Sequence, residues 1–363
     1  MSVSADAMAE LPAASRRRVP ASVLLPLAAF GLLAVGTLSL AIGPTGISLA
    51  SLPHALGALI FGSDDAQALR DRLVLLDLRL PRTLLGAFVG AALAVGGAIL
   101  QGLFRNPLAD PALVGVSSGA ALGAAATIAF GNHYAAPFMQ AAGVYAVSVA
   151  AFAGGIATTL VLVALAGRSG RLAIGTLLLT GIAMGAIADS LRGFIAFASD
   201  DRELRDLTLW SLGSLTGASW PKVLAVTPFA IVLLLALPRL VRALNGFLLG
   251  EAEAFHLGVN VESTKRLAVL VSAAAVGAAV ASAGIVAFVG LIVPHIIRLV
   301  AGPDHRVVLP AAALLGGLLV LTADIIARMA VRPAELPLGV VMAAIGAPVF
   351  LHLVLRRGLG SMD

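Results

Sequence analysis

The chain of 363 residues contains no cysteine, which excludes disulfides, thiolate zinc sites, iron–sulfur clusters and cysteine nucleophiles. Charge is scarce at 12% of residues, against 60% hydrophobic, and only two lysines occur, Lys222 and Lys265. Neither stands in the G-x-x-x-x-G-K-[ST] pattern that holds nucleotide phosphates, so the chain cannot energise itself with ATP. H-E-x-x-H is also missing, and the six histidines have no metal-ligand spacing, which argues against an intramembrane enzyme. What the chain does have is apolar length and small residues. A hydrocarbon core of ~30 Å takes about 20 apolar residues per helix, which leaves room for about ten crossings and for no large soluble domain. The 39 glycines suit such a bundle, because close helix packing in lipid depends on small residues; Gly86/Gly90, Gly115/Gly119/Gly123 and Gly181/Gly185 have the required spacing.

Hydropathy predicts spans near 21–43, 81–103, 112–130, 138–166, 171–197, 220–244, 265–283, 285–301, 307–330 and 335–355, which puts both termini on one side. Arg16, Arg17 and Arg18 precede the first span. Arg105, Arg168, Arg171, Arg239, Arg242, Lys265, Arg266, Arg298, Arg306, Arg356 and Arg357 fall on the same side, so that side is read as cytoplasmic. The net charge of +5 is therefore a signal of topology and not of nucleic-acid binding. The stretch Ala21–Gly43 is too long for a leader's apolar region and is read as an uncleaved first span. The organisation predicted is a cytoplasmic segment 1–20, a transmembrane domain 21–358 and a short tail 359–363. Two charged outer loops, 44–80 and 198–219, are either solvated connectors or a docking surface.

One internal segment breaks the bilayer-like pattern. Phe247-Leu-Leu-Gly-Glu-Ala-Glu-Ala-Phe-His-Leu-Gly258 is short, acidic and amphipathic among basic cytoplasmic loops, and it reads as a handle for a soluble partner, covering about 247–260. Glu251 and Glu253 suit the positive end of a short helix, while Phe255 and Leu257 offer apolar contact. Ionisable residues within spans call for a functional hypothesis. Asp189 and Arg192 are three apart and Asp324 and Arg328 four apart, so each pair can meet on one helix face. No unpaired carboxylate at mid-membrane points to a proton-coupled pump. Pro294 and Pro348 interrupt helix bonding within spans, as often happens in transporters.

Four ordered motifs then carry a family resemblance: Leu78-Arg-Leu-Pro-Arg82; Gln101-Gly-Leu-Phe-Arg-Asn-Pro-Leu-Ala-Asp-Pro111 with Leu113-Val-Gly-Val-Ser-Ser-Gly119; Gly290-Leu-Ile-Val-Pro-His-Ile-Ile-Arg298; and Glu335-Leu-Pro-Leu-Gly339 with Gly346-Ala-Pro-Val-Phe350. They resemble the permeases of iron-chelate, haem and vitamin B12 ABC importers. The resemblance implies an all-α polytopic membrane protein with about ten transmembrane helices per subunit, like the vitamin B12 permeases. It implies a homodimer in the bacterial inner membrane with both termini cytoplasmic, two ATPase subunits and a periplasmic binding protein. No cofactor is expected on the chain itself, ATP and magnesium belonging to the partner ATPase.

By the same resemblance, Gly250, Glu251, Ala254, Leu257 and Gly258 belong to a coupling helix seated on the ATPase. Arg79, Arg82 and Arg328 match outward arginines that pair with the binding protein. Asn106 and Leu108 match an inner gate, and Ile174, Gly175 and Thr176 fall at a second one, where Ile174 and Gly175 depart from the family's small hydroxyl residues. Arg332 is a further outward arginine without an assigned role. The run Leu204–Trp220 most resembles haem permeases and makes haem the expected cargo, with ferric siderophores and vitamin B12 as alternatives. Met184, Arg192 and Arg205 are placed on the substrate path, the arginines favouring propionates, whereas Met184, His133, Tyr134 and Met139 are read as packing residues and not as haem ligands. A secondary transporter is the rival class.

Overall fold

The computed structural model describes residues 18–43, 66–168 and 172–359. The expectations placed on Arg16, Arg17, Arg171, residues 44–65 and the tail after 359 lie outside the described residues, as do the side chains of Arg356 and Arg357.

Fourteen α-helices make up the described chain. The first four are α1 (Ala21–Ala41), α2 (Ala66–Leu73), α3 (Leu80–Leu103) and α4 (Val116–Tyr134). There follow α5 (Ala136–Ala142), α6 (Ala146–Ala166), α7 (Ile174–Ala198), α8 (Asp201–Ser211) and α9 (Trp220–Phe247). The last five are α10 (Glu251–His256), α11 (Val261–Ala283), α12 (Val289–Ala301), α13 (His305–Ala330) and α14 (Leu338–Leu359). Ten of these coincide with the ten predicted spans, and seven segments are long and apolar enough to cross a membrane unaided.

Boundaries differ where local chemistry overrides hydropathy. A π-helical stretch, Val74–Arg79, joins α2 to α3, so much of the outer loop 44–80 is a helical extension of the second span. Pro111–Val114 forms a 3-10 turn, and α4 starts only after Gly115, whose φ of 73° needs a residue without Cβ. The predicted span 138–166 is broken at Gly143–Tyr145. The predicted span 285–301 begins late: Ile285–Ala287 have no helical structure, and α12 starts after Phe288, which itself has φ of 69°. Residues 201–211 of the other outer loop form α8, started by a capping box in which the Asp200 carboxylate accepts from the Glu203 amide at 2.8 Å.

Helix α3 is the axis of the bundle, buried along most of its length against α13, α11, α12 and α9. The small-residue spacing explains how closely it packs. A Cβ on Gly90 would lie 2.2 Å from the Gly316 carbonyl oxygen, and one on Gly97 would meet the Gly290 carbonyl, so neither helix can retreat without losing the contact. The α4–α6 pair repeats the device at Gly119 and Gly154. In contrast α1, α7 and α9 keep broad apolar faces exposed, as helices do that face lipid or another subunit.

Candidate functional site

The two ends of the bundle carry the polar chemistry, and α7 runs between them. At one end, α9 ends and the chain turns through Gly250, whose φ of 136° excludes an ordinary side chain, into the six-residue α10. Ala254 is fully buried, its amide bonded to the Gly250 carbonyl and its Cβ set against Gly246, so the helix lies flat on the bundle. Gly258, with φ of 83°, turns the chain back into α11, which Asn260 caps by accepting from the Ser263 amide at 3.0 Å.

The outer face of α10 exposes Glu253 and His256 beside two large apolar side chains. Phe255 is 67% and Leu257 66% exposed, and open grooves of about 680 and 570 Å³ flank them. Glu251, expected to face the partner, turns one oxygen inward to the Lys265 ammonium at 2.7 Å. Lys265 is buried; it also donates to the Leu172 carbonyl at 3.1 Å and lies 3.6 Å from Glu262, which accepts the Leu172 amide at 2.7 Å. One cation therefore ties the handle, the start of α11 and the lead-in to α7 together. Sequence reasoning treated Lys265 only as a loop charge, and nothing in its spacing from Leu172 signals the contact.

Near the same end, Asn106 accepts the Leu108 amide at 2.9 Å, which holds a tight turn and leaves Leu108 42% exposed. Ile174 is half-buried while Gly175 and Thr176 are exposed, and a Cβ on Gly175 would meet nothing within 4 Å. Both segments expected to form inner gates therefore border open space. From Gly175 exposed apolar side chains run along α7 through Leu179 and Ile182 and, after a five-residue step that turns to the adjoining face, through Ile187, Leu191, Phe194 and Phe197. Met184 is half-buried beside them, and Arg192 binds Asp189 at 3.2 Å, as the three-residue spacing predicted. Arg205 is exposed on α8.

At the opposite end the three arginines assigned to docking are turned inward, which corrects the picture of exposed charges awaiting a partner. Arg79 is 4% exposed and donates to the carbonyls of Leu40 and Ala41. Arg328, also 4% exposed, donates to the Ile42 carbonyl at 3.0 Å and the Ser39 hydroxyl at 2.9 Å, and pairs with Asp324 at 3.0 Å. Two arginines thus satisfy the terminal carbonyls of α1, which its own turns leave without donors. Arg82 binds Asp324 at 2.8 Å and Glu335 at 2.9 Å. Asp324 is 1% exposed, a buried charge made tolerable by two guanidinium partners. Glu335 also accepts from the Thr216 hydroxyl at 2.9 Å. Burial alone would push its carboxyl up, but the Arg82 bond and charge, with Thr216 and Arg328, hold it below its ordinary range.

Comparison with known proteins gives this geometry a family. The FecCD transport family matches over residues 31–356. The hemin transport system permease protein HmuU of Yersinia pestis is 45% identical over 282 residues, 78% of this chain and 83% of that one. The cobalamin import system permease protein BtuC of Halobacterium salinarum is 44% identical over 285 residues, 78% of this chain and 74% of its own. A solved inward-facing conformation of a putative metal-chelate type ABC transporter superposes with a TM-score of 0.78 at 30% identity, covering 92% of this chain and 99% of that one. The chain belongs to the FecCD transport family, the permeases of iron-chelate, haem and vitamin B12 ABC importers.

Proposed function

We propose that this permease carries haem across the bacterial inner membrane as a homodimer, its α7 stripes facing each other across the two-fold axis, with ATP hydrolysed on separate subunits docked at α10. The observation that carries the cargo assignment is the stripe itself. From Leu179 to Phe197 its exposed hydrophobic side chains are aliphatic or phenyl, with the Arg192–Asp189 pair near its upper end. Such a wall suits a flat apolar ring system with two carboxylates and gives few donors or acceptors to amide-rich corrinoids or hydroxamate siderophores. The haem-permease-like run Leu204–Trp220 adds less than its resemblance implies. Leu215 is buried, Gly213 packs closely on the Ile285 carbonyl and Trp220 donates to the Leu76 carbonyl at 3.0 Å, so part of that run serves packing. Haem and cobalamin relatives differ by one per cent in identity, which does not separate the cargoes.

The test is uptake by proteoliposomes holding the permease with its ATPase and binding protein, offered haem, a ferric siderophore or vitamin B12. Haem alone is expected to accumulate, and Arg192→Gln to lower haem uptake while basal ATP hydrolysis stays near normal. Siderophore or B12 uptake without haem uptake overturns the cargo and leaves the importer standing. If the loss in Arg192→Gln is one of stability and is relieved by adding Asp189→Asn, the arginine serves only its neighbour.

A further inference from the structure

We propose that the outer end of the groove between α6, α9 and α11 is a binding site for one anionic phospholipid of the phosphatidylglycerol type, its phosphate on Lys222 and one acyl chain over Phe152 and Phe229. The groove holds about 350 Å³, and its walls are almost wholly apolar apart from Lys222 and two serines. Phe152 and Phe229 form its floor, ring centroids 4.7 Å apart, and Ala278 and Ala281 of α11 leave room above them. The flanks of α6 and α9 continue outward as apolar surface, with Val149 48%, Leu224 64% and Ile231 49% exposed. This is a face made for hydrocarbon.

The lysine is what turns a greasy groove into a site. Lys222 lies in the first turn of α9, at the end of the bundle opposite α10, and the seven residues from it to Phe229 descend about 10 Å along the helix. The groove thus runs from an interfacial cation towards mid-membrane, the path of an acyl chain below its headgroup. Among the described residues no carboxylate pairs with Lys222 and its ammonium makes no hydrogen bond. A partly buried cation without a partner is costly, and a lipid phosphate supplies one. On its other side Lys222 borders a more polar cavity of about 370 Å³ with Asp206, Ser214, Thr216 and Ser282. Those groups are acceptors and hydroxyls suited to the hydroxyls of a glycerol headgroup, which phosphatidylcholine lacks.

The experiment compares lipids with identical chains. The permease purified in mild detergent is titrated with phosphatidylglycerol or phosphatidylcholine, and retained lipid is counted by native mass spectrometry alongside the melting temperature. Wild type is expected to retain phosphatidylglycerol preferentially and to melt higher with it. Lys222→Gln should cut that retention roughly five-fold, the contribution of one cation at a membrane surface, and Lys222→Arg should restore it. Ala225→Trp, which fills the groove, should lower retention of both lipids. An undiminished preference in Lys222→Gln overturns the headgroup contact, and unchanged retention in Ala225→Trp overturns the groove. Because the chain has no cysteine, Val149→Cys reads the rival occupant: disulfide-linked pairs forming in membranes would mean that a second copy covers this face.

Discussion

Asp324 is a buried charge held by one arginine of its own helix, Arg328, and one from a helix distant in sequence, Arg82, which makes it a sensitive point in the molecule. Removing one member of such a cluster leaves an uncompensated charge, so Asp324→Ala should lower stability by about 3–5 kcal/mol, read as a loss of melting temperature in detergent. Glu335 adds a pH dependence to the same cluster. Its carboxyl is held below the ordinary value of 4.5, so its contribution to stability is complete above that value and lost as pH falls through the lower folded value. Melting temperature measured from pH 7 downward should therefore fall more steeply for wild type than for Glu335→Gln, and parallel curves would contradict the bond to Arg82. The sequence revealed the Asp324–Arg328 and Asp189–Arg192 pairs because helical spacing dictates them. It concealed Arg82–Asp324, Arg82–Glu335 and the two arginines that cap α1, since those contacts span the whole fold and no local period encodes them.

The segment around α10 shows the same division at the next level up. Its existence, its acidic start and its apolar Phe255 and Leu257 were legible, because a charged amphipathic insert stands out against bilayer-like sequence. Its attachment to the bundle was not. Lys265 joins α10 to the lead-in of α7, so movement of α10 can reach the start of α7 through one ammonium. Lys265→Met should accordingly raise amide hydrogen exchange in residues 250–258 and 172–176 together; exchange confined to one of them would mean that the two segments are not linked through this side chain. Helix ends were misjudged for a related reason. Hydropathy reads composition, whereas the late starts of α4 and α12 follow from the positive φ of Gly115 and Phe288.

The whole bundle was legible in outline, since ten apolar stretches and the glycine spacing around α3 leave few other architectures open. Gly90→Val tests that packing directly: forcing side-chain volume against the Gly316 carbonyl should prevent stable assembly, seen as aggregation on size-exclusion chromatography. What the sequence could not supply is the orientation of each helix, and therefore that α7 leaves its apolar stripe open while α3 is enclosed. The central claim is that α10 receives the ATPase and that its exposed apolar side chains are the contact. The measurement that tests it most directly is copurification of the ATPase with Leu257→Arg permease, paired with ATP-driven uptake. An anchor of this kind is worth about 2 kcal/mol or more, so association should fall by about thirty-fold or more and uptake should be lost while the permease remains folded. ATPase association and ATP-driven uptake at wild-type levels in Leu257→Arg would contradict it.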